Sequence, residues 1–257
     1  MIKLVKIGGN VVDNPEMLDD FVCKFAQISG PKALVHGGGA VAGKVQEALG
    51  IPVVKIQGRR VTDSETLKVV TMVYAGLCNK TIVAKLQSYG CNAIGLAGCD
   101  ASVITAQKRR PLNIDGQEVD FGFVGDVKTS SVNTESILKL LEAGLVPVFC
   151  AINHDAKGNL LNTNADTIAS SLASALGAEL ITCFEKRGVL TDINDETSVI
   201  PRIDKESYSR LKDSGVIADG MIPKLDNAFK ALDEGALSVT IKSAEDLLID
   251  TGTVIVP

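Results

Sequence analysis

The sequence predicts an α/β fold built on a mainly parallel sheet with helices on both faces. Three observations carry that reading. Short β-branched apolar runs alternate with helical patterns from end to end of the 257 residues. Most of these runs are apolar at nearly every position, as strands covered on both faces require. The longest of them, Leu145 to Ile152, is strand-sized and far too short to cross a bilayer.

The strands are expected at 2–7, 33–36, 92–96, 146–150, 179–183 and 238–241, and the helices at 15–28, 40–49, 63–88, 133–143, 165–176, 204–213 and 221–235. Helix starts are marked by Asp13 or Asn14 before Pro15, by Thr62 or Asp63 ahead of Glu65, and by Asn133 or Thr134 ahead of Glu135. Gly90, Gly144, Gly177 and Gly235 close the far ends. Polar hairpin signals interrupt the series at Ile114 to Gln117 and at His154 to Asn159. No Pro/Ser-rich linker divides the chain. If there are two lobes, 1–177 and 178–257, the seam follows the helix that ends near Gly177, where the strand series restarts.

Composition narrows the function classes. A net charge of −5 offers no broad basic face for nucleic acid. The N-terminus enters a strand at once, so secretion is not expected and the cytoplasm is the default, with no membrane partner. Two histidines, His36 and His154, do not make a histidine-rich metal site. The six cysteines are scattered and form no C-x-x-C pair, which reads as buried free thiols.

Five segments stand out, each falling where a strand ends or a helix begins, the edge at which open α/β sheets bind ligands. Lys6-Ile7-Gly8-Gly9-Asn10 delivers a lysine into a glycine loop, which suits a phosphate and also suits a plain turn. Val35-His36-Gly37-Gly38-Gly39 spends backbone entropy on consecutive glycines. It fits either close approach of amides to an anion or a tight strand-to-helix turn. Gly58-Arg59-Arg60-Val61-Thr62 puts guanidinium groups at a helix entrance, able to clamp a carboxylate or to remain solvated. Asn162-Thr163-Asn164-Ala165-Asp166 carries more polar groups than a helix cap needs. Asp219-Gly220-Met221-Ile222-Pro223-Lys224 places a lysine in a first helical turn, where the dipole disfavours a cation unless an anion is near. Neither G-x-G-x-x-G in the first βαβ unit nor G-x-x-x-x-G-K-[ST] is present, so dinucleotide and P-loop readings lose ground.

Lys-x-Gly-Gly, His-Gly-Gly-Gly, Gly-x-Arg-Val-Thr, Asn-x-Asn-Ala-Asp and Asp-Gly-Met-x-x-Lys occur in an order and spacing that resembles the N-acetylglutamate kinases of the amino acid kinase superfamily. The resemblance covers essentially the whole chain. It implies a three-layer αβα sandwich, the amino acid kinase fold, with an N-terminal lobe for the acyl-amino acid and dimer contacts and a C-terminal lobe for ATP. The implied reaction moves the ATP γ-phosphoryl group to the side-chain carboxylate of N-acetyl-L-glutamate in arginine biosynthesis. That carboxylate, with a pKa of about 4, is already ionised at neutral pH, so no general base is needed.

The resemblance implies that Lys6 and Lys224 bring positive charge to the phosphoryl group from opposite lobes, with Asp166 orienting both. Gly8 and Gly9 match phosphate-binding positions. Gly37, Gly38, Arg60, Asn162 and Asn164 match substrate-binding ones, Arg60 taking the α-carboxylate and Asn162 the acylamino part. Mg²⁺ is expected to arrive with the nucleotide, with no protein metal cage. Nucleotide contacts fall on Glu185, Lys186, Gly188, Ala218, Asp219 and Met221, where the chain departs from the usual Thr-Asp-x-x-Gly and has Phe184-Glu185-Lys186-Arg187-Gly188 instead. A second departure is Arg59 beside Arg60, with Lys108-Arg109-Arg110 in a hairpin region near the substrate lobe of relatives. An extra cation there would favour N-succinyl-L-glutamate; a solvated surface is the alternative. Relatives inhibited by arginine carry an additional N-terminal helix, whereas the first strand here starts at residue 2, so an arginine-insensitive homodimer is expected. A catalytically silent nucleotide sensor of the same fold is the remoter alternative, against which the joint presence of Lys6, Asp166 and Lys224 argues.

Overall fold

The computed structural model describes residues 1–114, 116–218 and 220–257. Its central sheet contains β1 (Lys3–Ile7), β2 (Lys32–His36), β3 (Ala93–Leu96), β4 (Val146–Phe149), β5 (Glu179–Phe184), β6 (Arg202–Ile203), β7 (Ser238–Ser243) and β8 (Thr253–Ile255). Their spatial order is β6-β8-β7-β5-β1-β2-β4-β3, all parallel to their neighbours except β8 against β7. The six strands read from the sequence are all present. The edge strand β6 and its neighbour β8, two and three residues long, are too short to stand out as apolar runs.

Burial explains why these segments are strands. Leu4, Val5 and Ile7 of β1 and Ala33, Leu34 and Val35 of β2 have no exposed surface, consistent with helices on both sides. The helices are α1 (Gly9–Asp13), α2 (Pro15–Gln27), α3 (Gly39–Ala48), α4 (Ser64–Thr71), α5 (Asn79–Ser88), α6 (Thr134–Glu142), α7 (Ala165–Leu176), α8 (Lys205–Asp213) and α9 (Met221–Asp233). Caps fall where the sequence marks them. Asn14 accepts from the amides of Glu16 and Met17, Asp63 from Thr66, and Asn133 from Ser136. Gly177 closes α7 in the left-handed conformation that glycine adopts without penalty. At the end of α2, the buried Lys32 ammonium donates to the carbonyls of Phe25, Ala26 and Ile28 at 2.7–2.9 Å. A cation there meets carbonyl groups at the helix C-terminus, of which that of Phe25 also accepts from the Ile28 amide.

Two expectations are corrected. The glycine loop after β1 tightens at once into α1, and the helix expected over 63–88 is interrupted. Met72–Cys78 is π-helical, and this wider turn joins α4 to α5. The whole segment Ser64–Ser88 is long and apolar enough, by composition, to cross a membrane. Its apolar stripe lies in the core, however: Val69, Val70, Val73, Ile82 and Leu86 are at most 3% exposed. The cysteines are free, but the expectation that they are buried holds only for Cys78, Cys91, Cys150 and Cys183. Cys99 is exposed and Cys23 half-buried. Burial pushes the Cys150 and Cys183 thiols up to about 12, so they stay protonated and inert.

One sheet crosses the 177/178 seam: β1 pairs with β5 through Lys3↔Glu179 to Ile7↔Cys183. With β2 on its other side, β1 is the strand at which the chain's winding reverses. The crevice beyond the carboxyl ends of β1, β2 and β5 is where such a sheet takes its ligand.

Candidate active site

Lys6 lies near the carboxyl end of β1 and is 5% exposed. Its ammonium contacts Asp166 Oδ1 at 2.6 Å. Asp166 stands in the first turn of α7, where a carboxylate complements the helix dipole, and its side chain keeps 21% of its surface open. Burial alone would raise its pKa. The adjacent Lys6 charge and hydrogen bond, together with the positive charge of Lys224, outweigh that and hold the carboxyl below the usual range. Lys224 sits in the first turn of α9 and also reaches the Gly220 carbonyl at 3.4 Å. Of the two lysines, 218 positions apart in sequence, Lys6 makes the direct contact and Lys224 acts on the same carboxylate through its charge. The field of Asp166 thus reaches the first turn of α9, where the dipole alone would disfavour a cation.

The glycine loops flank this group. The Gly8 amide donates to the Cys183 carbonyl at 3.0 Å, fastening the loop to β5. That is a correction to its expected role as a free donor; Gly9, which opens α1, is in the position whose amide a helix leaves without an acceptor. A Cβ on Gly37 would come within 3.9 Å of Ala165, so the second loop runs beside the start of α7. A Cβ on Gly38 would lie 2.9 Å from Tyr74 Cδ1 and 3.1 Å from Cys78 Sγ. Glycine is required at 38 because the π-helical turn presses side chains against the backbone.

His36, at the end of β2, has no exposed surface. Its Nδ1 is 2.7 Å from the Gly37 carbonyl and its Nε2 is 3.1 Å from Asn79 Nδ2. Asn79 also donates to the Val148 carbonyl at 2.9 Å. Burial pushes the imidazole down to about 4, so the neutral ring donates from Nδ1 and accepts at Nε2. It therefore fixes the loop rather than transferring protons.

Arg60 ends the short ribbon Lys55–Ile56/Arg59–Arg60. It donates to the Gln46 side-chain oxygen and, at 2.8 Å, to the Gly39 carbonyl. Two residues on, the buried hydroxyl of Thr62 accepts from Asn162 Nδ2 at 3.0 Å. Asn162 is thus joined to the Arg60 segment. Asn164 is different: its oxygen caps α7 through the amides of Asp166 and Thr167, which gives it a structural task and leaves only its side-chain amide for a ligand.

The C-terminal positions are less gathered. Lys186 pairs with Glu196, and Arg187 contacts Asp246 at 3.1 Å. A Cβ on Gly188 would come within 2.8 Å of both Thr253 Oγ1 and Val199 Cγ1, so packing accounts for that glycine. Glu185 and Ala218 are exposed and Met221 half-buried; Asp219 lies outside the described residues. Sequence reading passed over Gln46, Tyr74 and Asn79, and named Thr62 only as a motif member and helix start. A signal existed for Gln46, a polar residue four positions after Ala42 on the buried stripe of α3.

A lysine–carboxylate pair within the field of a second lysine, set between glycine loops at the carboxyl edge of a parallel sheet, is chemically suited to an anionic ligand. The chain belongs to the amino acid kinase family, whose pattern matches residues 1–243. It is 51% identical over 249 residues to the acetylglutamate kinase of Cytophaga hutchinsonii, covering 95% of this chain and 92% of that one. With the acetylglutamate kinase of Parabacteroides distasonis it is 49% identical over 254 residues, 97% of each. Among solved structures, smu.665 of Streptococcus mutans UA159 is 30% identical with a TM-score of 0.78, covering 99% of this chain and 98% of that one. Carbamate kinase from Giardia lamblia, 13% identical at a TM-score of 0.69 over 99% and 98% of the two chains, shares the fold.

Proposed function

We propose that this chain is an acetylglutamate kinase acting in arginine biosynthesis. An oxygen of the N-acetyl-L-glutamate side-chain carboxylate forms a bond to the γ-phosphorus of ATP. The bond from that phosphorus to the β,γ-bridging oxygen breaks, and its electron pair leaves with ADP. The products are an acyl phosphate and ADP. About half identity over nearly the full length of relatives bearing that name carries the reading. The Lys6–Asp166 contact, with the charge of Lys224 acting on the same carboxylate, supports it.

The residues divide the work by charge. Lys6 and Lys224 offset the negative charge of acceptor and donor, which otherwise repel one another. Asp166, ionised and paired, orients the ammonium groups and is not a proton acceptor. Gly9, Gly37 and Gly38 let backbone amides approach the reacting oxygens, while Arg60 takes the α-carboxylate and Asn162 the acylamino group. Residues 1–177 handle the acyl-amino acid and dimer contacts, and 178–257 the ATP. Among the described residues no group of three or more His, Cys, Asp or Glu gathers as a metal cage. Mg²⁺ fits as a companion of the nucleotide, where it would shield phosphate charge. The exposed Met72 and Leu77 on the long central helix are consistent with a homodimer, and the cytoplasm is the proposed location.

The acetyl group is favoured over succinyl. The relatives bearing the acetylglutamate kinase name carry that preference, and of the cations that suggested succinyl, Arg109 is already paired with Asp126 while Arg59, Lys108 and Arg110 are exposed. ADP release measured with N-acetylglutamate, N-succinylglutamate, glutamate, aspartate and carbamate tests the reading. Turnover of N-acetylglutamate above all others is expected, and no turnover of it would overturn the assignment.

A further inference from the structure

We propose that Gln46 is a positioning residue that aims Arg60 at the substrate while leaving the guanidinium charge unneutralised. The inference rests on the acetylglutamate kinase reading and assigns a role to a side chain outside the expected site. Gln46 has no exposed surface, although it is polar and lies in the last turn of α3. Its amide is oriented by what surrounds it: Nε2 donates to Thr66 Oγ1 at 3.1 Å and to the Pro52 carbonyl at 3.3 Å. Thr66 is in turn fastened by the Asp63 cap, which accepts from its amide at 2.7 Å. With both donors directed at acceptors, Oε1 is left to face Arg60 Nη1.

The second acceptor holding Arg60 is also neutral, the Gly39 carbonyl. Tyr74 is buried beside the same loop, and burial raises its pKa, so it brings no negative charge to Arg60 at neutral pH. Arginine has five donors in a fixed fork, and a bidentate carboxylate is its strongest partner. A glutamate at 46 would have nearly the same shape and reach, but it would give Arg60 an internal ion pair and remove the attraction for an external anion. Gln46 thus separates two jobs that one residue type would merge: it supplies the geometry and withholds the charge.

The experiment compares Gln46→Glu and Gln46→Met with wild type, using N-acetylglutamate and 4-acetamidobutyrate, which keeps the phosphate-accepting carboxylate and lacks the α-carboxylate. For N-acetylglutamate, Gln46→Glu is expected to raise KM about thirtyfold and Gln46→Met about fivefold, with kcat and the KM for ATP within about twofold of wild type. With 4-acetamidobutyrate, a poor substrate for wild type, neither change should move kcat/KM by more than about twofold, because the group that Arg60 reads is missing. A purely structural role would reduce both substrates together, and that result overturns the proposal. An N-acetylglutamate KM within twofold of wild type in Gln46→Met also overturns it, and this variant decides the matter if Gln46→Glu does not fold. Wild type without activity on N-acetylglutamate would instead defeat the functional reading.

Discussion

Asn79 Nδ2 lies 3.1 Å from His36 Nε2, linking the centre of a long helix to the root of the loop that carries Gly37 and Gly38. The pair binds only while the imidazole is neutral. An unfolded histidine has a pKa of about 6.5, whereas this one is held at about 4, so between these values the unfolded chain binds the extra proton. The stability that His36 contributes is complete above the unfolded value and is lost as pH falls toward 4. Urea denaturation from pH 7.5 to 4.5 should show the wild type losing about 2–3 kcal/mol more than His36→Gln. Parallel losses in both would refute it.

Lys6→Ala removes a cation within 2.6 Å of Asp166. Turnover should fall by roughly a thousandfold, the scale of losing one preorganised group at a developing charge. Asp166→Asn keeps the shape and loses the charge that gathers the lysines, and a drop of about a hundredfold is expected. ADP release provides the rates, and circular dichroism should report the native fold in both. More than a tenth of wild-type kcat in Lys6→Ala would exclude a direct role.

Lys32 illustrates a different use of a buried ammonium. Replacing it with Met would leave the carbonyls of Phe25, Ala26 and Ile28 without their donor. A loss of about 2–3 kcal/mol in unfolding free energy is expected, with kinetic constants unchanged. By contrast, breaking the exposed Lys68–Glu65 pair should cost less than about 0.5 kcal/mol.

Gly38→Ala forces a methyl group to within 2.9 Å of Tyr74 Cδ1. Tyr74 and Cys78 are both anchored in the core, so the loop must yield, at about 1–3 kcal/mol of stability. Since the same loop delivers the Gly39 carbonyl to Arg60, the KM for acylglutamate should rise while that for ATP stays put. Steady-state kinetics with each substrate varied in turn would reveal any other pattern.

Much of this architecture is legible in the chain. Strands β1 to β5 and β7 announce themselves because both of their faces are apolar, and Asn14, Asp63 and Asn133 mark helix starts by a local mechanism. Lys6, Asp166 and Lys224 stand out because each sits beside glycine, amide or helix-start signals. What stays hidden is long-range. The apolar periodicity runs through residue 72 without marking the change to π-helix, which lies where the segment passes Gly38. The amide of Gly8 looks free until β5 supplies Cys183 as its acceptor. Asn164 reads as one more ligand until α7 claims its oxygen. Lys186 and Arg187 suggest phosphate contacts, yet Glu196 and Asp246 meet them. Partners distant in sequence decide each of these.

The ladder from Lys3↔Glu179 to Ile7↔Cys183 is the middle of the molecule, and Lys6 is one of its rungs, opposite Thr182. A clamshell swing about residue 177 would have to tear that ladder apart. Under the proposed reaction, tightening around donor and acceptor would therefore fall to torsion of the sheet itself and to the parts mounted on its rim, chiefly α9 with Lys224 and the 55–60 ribbon with Arg60.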